Sequence, residues 1–121
     1  APAAVGPYSH AVVAGNLLFV SGQIPAVPGE SVLKPGTIEE ETHQAMANLR
    51  TILEEAGTDL AHVVKTTIYL SDMNNFVAFN AVYAEYFPEN PPARACVEVA
   101  RLPLDVQVEI EAIALINKEN N

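Results

Sequence analysis

A single cysteine, Cys96, stands among 121 residues. One thiol closes no intramolecular disulfide and builds no zinc cluster, which suits a reducing, cytoplasmic compartment. Basic residues are also scarce, 6 against 15 acidic, for a formal charge of −9. Such a surface repels phosphate backbones and anionic membranes, and no basic stripe offsets it. Nucleic acid is therefore not an expected partner. No apolar run approaches the roughly 18–20 residues of a membrane span. Ala1-Pro2-Ala3-Ala4 lacks the basic start and apolar stretch of a secretory signal, and the absent initiator Met leaves room for residues ahead of Ala1. There is no phosphate loop and no dinucleotide fingerprint. His10, His43 and His62 have no metal spacing, so no metal or organic cofactor is expected. Ser21-Gly22 is not framed as Gly-x-Ser-x-Gly, so it is not a nucleophile elbow.

What is present is apolar. Half of the residues are hydrophobic and 17% are charged, which supports a modest core and excludes disorder, since disorder needs low hydrophobicity. The length is that of one domain, and no linker, low-complexity tract or long repeat divides residues 1–121. The pattern predicts a strand over Tyr8–Val13, a turn at Ala14-Gly15-Asn16 and a second strand over Leu17–Ser21. Pro25–Gly36 holds three prolines and two glycines and reads as loop, with a short strand around Ser31–Leu33.

Thr37-Ile38-Glu39-Glu40 is a capping box. It opens a helix with Ile38, Ala45, Leu49, Ile52 and Ala56 as its apolar stripe and Gly57 as its end. Glu39, Glu40 and Glu41 suit the positive end of the helix dipole and read as a solvated face. Val63–Leu70 is a strand rich in Val, Thr and Ile. Asp72 to Asn75 cap a second helix through about Phe87, where Pro88, Pro91 and Pro92 stop it. Ala95–Ala100 and Val106–Ile116 are the last strands, followed by a frayed tail, Asn117–Asn121. The final strand alternates, with Val106, Val108, Ile110, Ala112 and Ala114 on one face and Gln107, Glu109 and Glu111 on the other. The order ββ(β)αβαββ makes an α+β domain with two helices on one face of a sheet. Leu17–Val20 and Ile113–Ile116 are apolar on both faces, so the uncovered face calls for another copy of the chain.

Among residues able to do chemistry, Arg94 follows Pro91-Pro92-Ala93 and is one of few cations. A guanidinium there can grip a carboxylate through two parallel hydrogen bonds, or it can pair structurally with one of the many acids. Glu109 and Glu111 share the polar face of the last strand. A carboxylate there can position or deprotonate water, and for Glu111 plain solvent exposure is the preferred reading. Cys96 has no base linked to it by any motif and reads as an inert, partly buried thiol. Asn80 falls in the middle of the helical stripe Phe76, Tyr83 and Phe87, so it either ties down a loop or faces a pocket. Tyr8 and Ser21 put hydroxyls at strand ends, where turn chemistry is the plainer role. Taken alone, these residues indicate a soluble α+β oligomer with an anion site.

In combination the sequence resembles the YjgF/RidA family, from Ala1 to about Ile116. The resemblance rests on Gly6-Pro7-Tyr8-Ser9, Ser21-Gly22-Gln23-Ile24, Val64-Lys65-Thr66-Thr67, the run from Pro92 to Pro103 and Val108-Glu109-Ile110-Glu111-Ala112. It implies a chorismate-mutase-like α+β fold with a mixed sheet, a homotrimer whose sheets face inward, and sites in clefts between subunits. It further implies hydrolysis of 2-imino acids, such as 2-aminoacrylate and 2-iminobutanoate, to 2-oxo acids and ammonia. By resemblance Arg94 binds the carboxylate, Glu109 attends the water and Tyr8 moves protons. Ser21, Gly22, Phe76, Asn80 and Cys96 complete the pocket, with Cys96 acting through its backbone. His10 departs from the family pattern, in which many members carry Gln after Tyr-Ser. The family also suggests two other roles, a ligand-sensing regulatory module and a ribonuclease or translation inhibitor. The charge of −9 and the lack of a His pair weigh against the last.

Overall fold

Helix α1 (Ile38–Glu55) begins where the local chemistry requires it. The Thr37 hydroxyl accepts from the Glu40 amide at 3.1 Å while the Glu40 carboxylate accepts from the Thr37 amide at 2.9 Å, which closes the capping box. Gly57, at φ +85°, takes the chain out of the helix. The computed structural model describes residues 9–27 and 36–116. Tyr8, the expected strand at Ser31–Leu33 and the tail 117–121 lie outside the described residues.

Five strands form one sheet: β1 (Ala11–Ala14), β2 (Leu17–Gln23), β3 (Val63–Leu70), β4 (Ala93–Glu98) and β5 (Val108–Leu115). Their order is β1-β2-β5-β3-β4, antiparallel except for the β3–β4 pair, so the sheet is mixed. Helix α2 (Phe76–Tyr86) follows a single 3-10 turn at Met73–Asn75, and Asp72 caps that turn by accepting from the Asn74 amide. Both helices cover one face. Leu18, Val20, Ile68, Leu70, Val108, Ile110, Ala112 and Ala114 from the sheet are buried with Met46, Leu49, Leu53 and Phe79 from the helices. Each such large side chain contributes about 1.5–3 kcal/mol on burial. No helix among the described residues is long and apolar enough to cross a membrane.

The opposite face is open. Phe19 and Leu115 are about 40% exposed there (42% and 39%), as is Val97 at 43%. Within one chain, then, the runs that read as apolar on both faces are covered on one face only. Strand boundaries differ from the sequence expectation for local reasons. β1 starts at Ala11 because the carbonyls of Ser9 and His10 are taken by Ser21, through its hydroxyl (2.6 Å) and amide (2.8 Å). β4 starts at Ala93, directly after Pro92, where parallel pairing to Lys65 begins. Gln107 does not join the polar face of β5. Its amide and its Nε2 both donate to Glu41, and Nε2 also donates to Gly36 O. Glu41 is therefore a clamp on the start of β5, where the sequence alone predicts a solvated face for Glu39–Glu41.

Candidate functional site

Arg94 stands opposite Thr66 in the parallel β3–β4 ladder, so it projects to the side where the helices pack. Thr66 is buried and shares a 2.7 Å hydrogen bond with the Tyr83 hydroxyl. The Arg94 guanidinium lies 5.0 Å from the Tyr83 ring centre and 5.6 Å from that of Phe76. Its Nη1 donates to Asn80 Oδ1 at 2.7 Å. Among the described residues every group holding it is neutral, and no carboxylate bridges it. Two cation–π contacts and one hydrogen bond hold the fork without spending its charge. Beside it a cavity of about 300 Å³ is walled by Tyr83, Phe87, Pro91 and Pro92, with Asn80 and Arg94 as its polar members. Asn80, out of place on an apolar stripe, thus faces a pocket.

Cys96 lies opposite Ile68 in the same ladder, on the Arg94 side, and is half-buried. Burial pushes the thiol up from its ordinary value, and the nearby Arg94 charge offsets part of that. No imidazole serves it: His43 contacts the Tyr86 hydroxyl, His62 contacts Asp59 and His10 contacts Gln23.

Glu109 occupies the other side of the sheet. Its neighbours Val108 and Ile110 are fully buried under the helices, so strand alternation turns Glu109 to the open face. There it stands opposite Tyr69 of β3. The β2–β5 ladder shifts between Val20 and Gln23, which brings Gly22 against Glu109. A methyl group on Gly22 would overlap the Glu109 carboxylate. Burial, and then the Glu111 charge, hold Glu109 above the usual carboxylate range. Glu111 is half-buried and accepts from the Tyr69 hydroxyl at 2.7 Å, so it is not the solvent-exposed residue its position suggested. That hydrogen bond is the main reason the Tyr69 phenol is pushed up to about 12. A second cavity, about 480 Å³, opens on this face between Ser21, Lys65, Thr67 and Glu111 with Val12 and Phe19. Ser21 spends its hydroxyl on Ser9 O, which ties the residue after Tyr8 to the β2 bulge.

The expected site residues therefore fall into two groups. Arg94, Phe76, Asn80 and Cys96 gather between α2 and β4, and Ser21, Gly22 and Glu109 gather on the open face. The sheet lies between them within one chain. Tyr69 was read from the sequence only as a strand residue. Its place on the face opposite Ile68 and Leu70 follows from alternation, but the strand it faces does not. Among the described residues, no three His, Cys, Asp or Glu side chains cluster as a metal site.

The family model described as Endoribonuclease L-PSP matches residues 1–116. A RutC family protein of Pyrococcus horikoshii is 54% identical over 114 residues, covering 94% of this chain and 90% of the relative. A goat (Capra hircus) protein named 2-iminobutanoate/2-iminopropanoate deaminase is 49% identical over 115 residues, 95% of this chain and 84% of its own length. Among solved structures, E. coli TdcF with bound serine superposes with a TM-score of 0.90 at 39% identity, over 95% of this chain and 93% of that one.

Proposed function

The chain belongs to the Endoribonuclease L-PSP family, the YjgF/RidA family that its sequence resembles, and on that premise we propose that it hydrolyses 2-imino acids to 2-oxo acids and ammonia. The observation that supports this reading best is Arg94. A guanidinium held over two rings and by Asn80, unbridged by any described carboxylate and beside a small apolar cavity, suits a planar carboxylate on a short side chain. In a chain of net charge −9, a local cation of this kind is needed to hold an anion at all.

The reaction asks little more of the protein. A protonated imine is already electrophilic at carbon. Arg94 orients it through the carboxylate. Glu109, half-buried and held as a stronger base than a free carboxylate, takes a proton from the attacking water. Tyr8 passes protons as ammonia leaves. Because one chain holds Arg94 and Glu109 on opposite sides of its sheet, the reading includes a homotrimer. In it the open face of one copy meets the β4 edge of the next, so that each site takes Arg94 from one subunit and Glu109 from another. The goat relative's name and the serine bound to TdcF fit a site that takes small amino-acid-like carboxylates. The TdcF complex equally favours a second reading, a sensor that binds such ligands without turning them over. An endoribonuclease is favoured by the family description and by the names of some similar solved structures, against the acidic surface.

A coupled assay tests the proposal. A threonine or serine dehydratase generates imine in situ, and release of 2-oxo acid is followed with and without this protein. Faster release is expected. An unchanged rate together with saturable 2-oxo acid binding would leave the sensor reading in its place. Any RNA cleavage is expected to fall away on repeated purification. Light scattering at micromolar concentration is expected to give the trimer mass, and a clean monomer would overturn the shared site.

A further inference from the structure

On the open face, β5 presents two carboxylates two residues apart, Glu109 and Glu111. In the antiparallel ladder Tyr69 stands directly across from Glu109, and Thr67 stands across from Glu111. The Tyr69 hydroxyl nevertheless passes over its own partner and donates to Glu111 Oε1 at 2.7 Å. A diagonal contact of this kind is within reach of a long aromatic side chain. It leaves Glu109 without the phenol's proton. Glu109 is confined on its other flank by Gly22, where there is no room for even a methyl group. The arrangement separates the roles of the two carboxylates. One is anchored by a donor, and the other is pressed into a narrow place with no hydrogen-bond donor among the described residues.

We propose that Tyr69 and Glu111 are a positioning pair for Glu109: the phenol fixes the Glu111 carboxylate along β5, so that its charge falls on Glu109 and on the water that Glu109 holds. The inference rests on the reading of Glu109 as the proton acceptor. The groups facing Glu109 from the packed strands are few. From β2 they are Ser21, whose hydroxyl is engaged with Ser9, and Gly22. From β3 they are Tyr69, Thr67 and Lys65, and Lys65 stands opposite Ile113, two same-face positions further along. β4 contributes Ala93, Ala95 and Val97 to this face, none of them titratable. Glu111 is the only anion on the face beside Glu109 among the described residues. Its repulsion acts in the same direction as burial, toward holding the proton on Glu109. Tyr69 stays a donor throughout the neutral range, because its own proton is held up to about 12.

Two variants of the full chain test this, Glu111→Gln and Tyr69→Phe. Gln keeps an oxygen to accept from the phenol and removes only the charge, so the fold is retained. Phe keeps the ring and releases Glu111. Two readouts are taken. The titration of the Glu109 side-chain carboxyl carbon is followed by NMR, and kcat/KM for imine hydrolysis is measured against pH. Glu111→Gln is expected to lower the Glu109 midpoint and to carry the acidic limb of the rate profile down with it. Tyr69→Phe is expected to move both in the same direction, by less. A Glu109 midpoint that stays put or rises in Glu111→Gln overturns the pairing, and so does a midpoint that falls while the acidic limb does not follow. If the wild-type protein turns over no imine at any pH, the catalytic reading of Glu109 fails by itself. The NMR midpoint still decides whether the pair acts on Glu109.

Discussion

The two groups of site residues differ in how they are held. Around Arg94 the groups described are neutral: two aromatic rings and one amide hold an exposed charge beside a cavity edged by two prolines and leave it unspent. Around Glu109 stand Gly22, Tyr69 and Glu111, the sheet face is open, and a like charge lies two residues away. The first is suited to binding, since it can hold an anion at little cost of reorganisation. The second is suited to proton transfer, since its surroundings resist ionisation. Within one chain the sheet stands between the two groups, and the shared site proposed above is what would bring them together.

The largest effect is expected at the binding group. Arg94→Lys replaces a planar fork by a mobile point charge. Charge-assisted hydrogen bonds contribute about 1.5–3 kcal/mol each, so losing the paired geometry is expected to lower kcat/KM roughly 10²-fold or more. The thermal melt is expected to hold, because Arg94 is exposed and bridges no described carboxylate. Near-normal turnover would remove Arg94 from the site. A melt that falls in step with activity would make it a structural residue instead. Glu109→Gln is the contrasting change: turnover is expected to fall about 10²-fold, while the affinity for a 2-oxo acid stays close to that of the wild type.

Mixing these two inactive variants tests the division itself. If Arg94 and Glu109 meet only across subunits, unfolding and refolding an equal mixture rebuilds intact sites. In randomly assembled trimers roughly one site in four pairs a sound Arg94 with a sound Glu109, so about a quarter of wild-type activity is expected to return. Each variant refolded alone gives the baseline. No recovery from a mixture shown to contain hybrid trimers would mean that both residues serve one chain's own site.

A smaller effect is expected at Cys96, which belongs to the binding group by position but has no activating base among the described residues. Burial keeps its thiol protonated. Cys96→Ser is expected to retain turnover within a few-fold. A loss beyond roughly a hundredfold, about 2.7 kcal/mol, with the fold intact would give the thiol a chemical role.

How much of this could be read from the chain follows from how local each signal is. The α1 capping box is complete within four residues, and both of its hydrogen bonds are present. Helical periodicity alone puts Asn80, a polar group, on an apolar stripe, which narrows it to tying down a loop or facing a pocket; the structure decides for the pocket. Arg94 was conspicuous as a scarce cation after a rigid Pro turn. The separation of Arg94 from Glu109 was not legible. It depends on β4 running parallel to β3, and on which residue of β5 stands across from each residue of β3. Strand pairing is non-local, so alternation shows that two residues face opposite ways along one strand but not which strand they meet. Tyr69 stayed hidden for the same reason. Gln107 broke the expected alternation because its partner, Glu41, lies 66 residues away.

The smallest effect is on stability, and its sign sharpens the contrast between the two groups. Folding raises the affinity of Glu109 for its proton, the reverse of the usual case for a carboxylate in a folded protein. A group of this kind contributes nothing against folding while it is protonated in both states, below the unfolded carboxylate range near pH 4. As pH rises from there through the folded value, the unfolded chain releases the proton more readily. Stability is then lost, and the full cost is present at neutral pH. Glu109→Gln removes the ionisation and is expected to melt higher than wild type at pH 7–8, by on the order of a degree or two once solvent screening of a half-buried group is allowed for. The difference is expected to vanish at about pH 4, where both proteins carry a neutral group at this position. The measurement is a set of paired melts across this range. A Glu109→Gln protein that melts lower than wild type at neutral pH would mean that the carboxylate makes a favourable contact in the fold. It would then be a structural residue on the open face and not a strained base. A higher melt with lost turnover would show a charge kept at that place at the expense of the fold, as expected of a group whose use lies in the reaction.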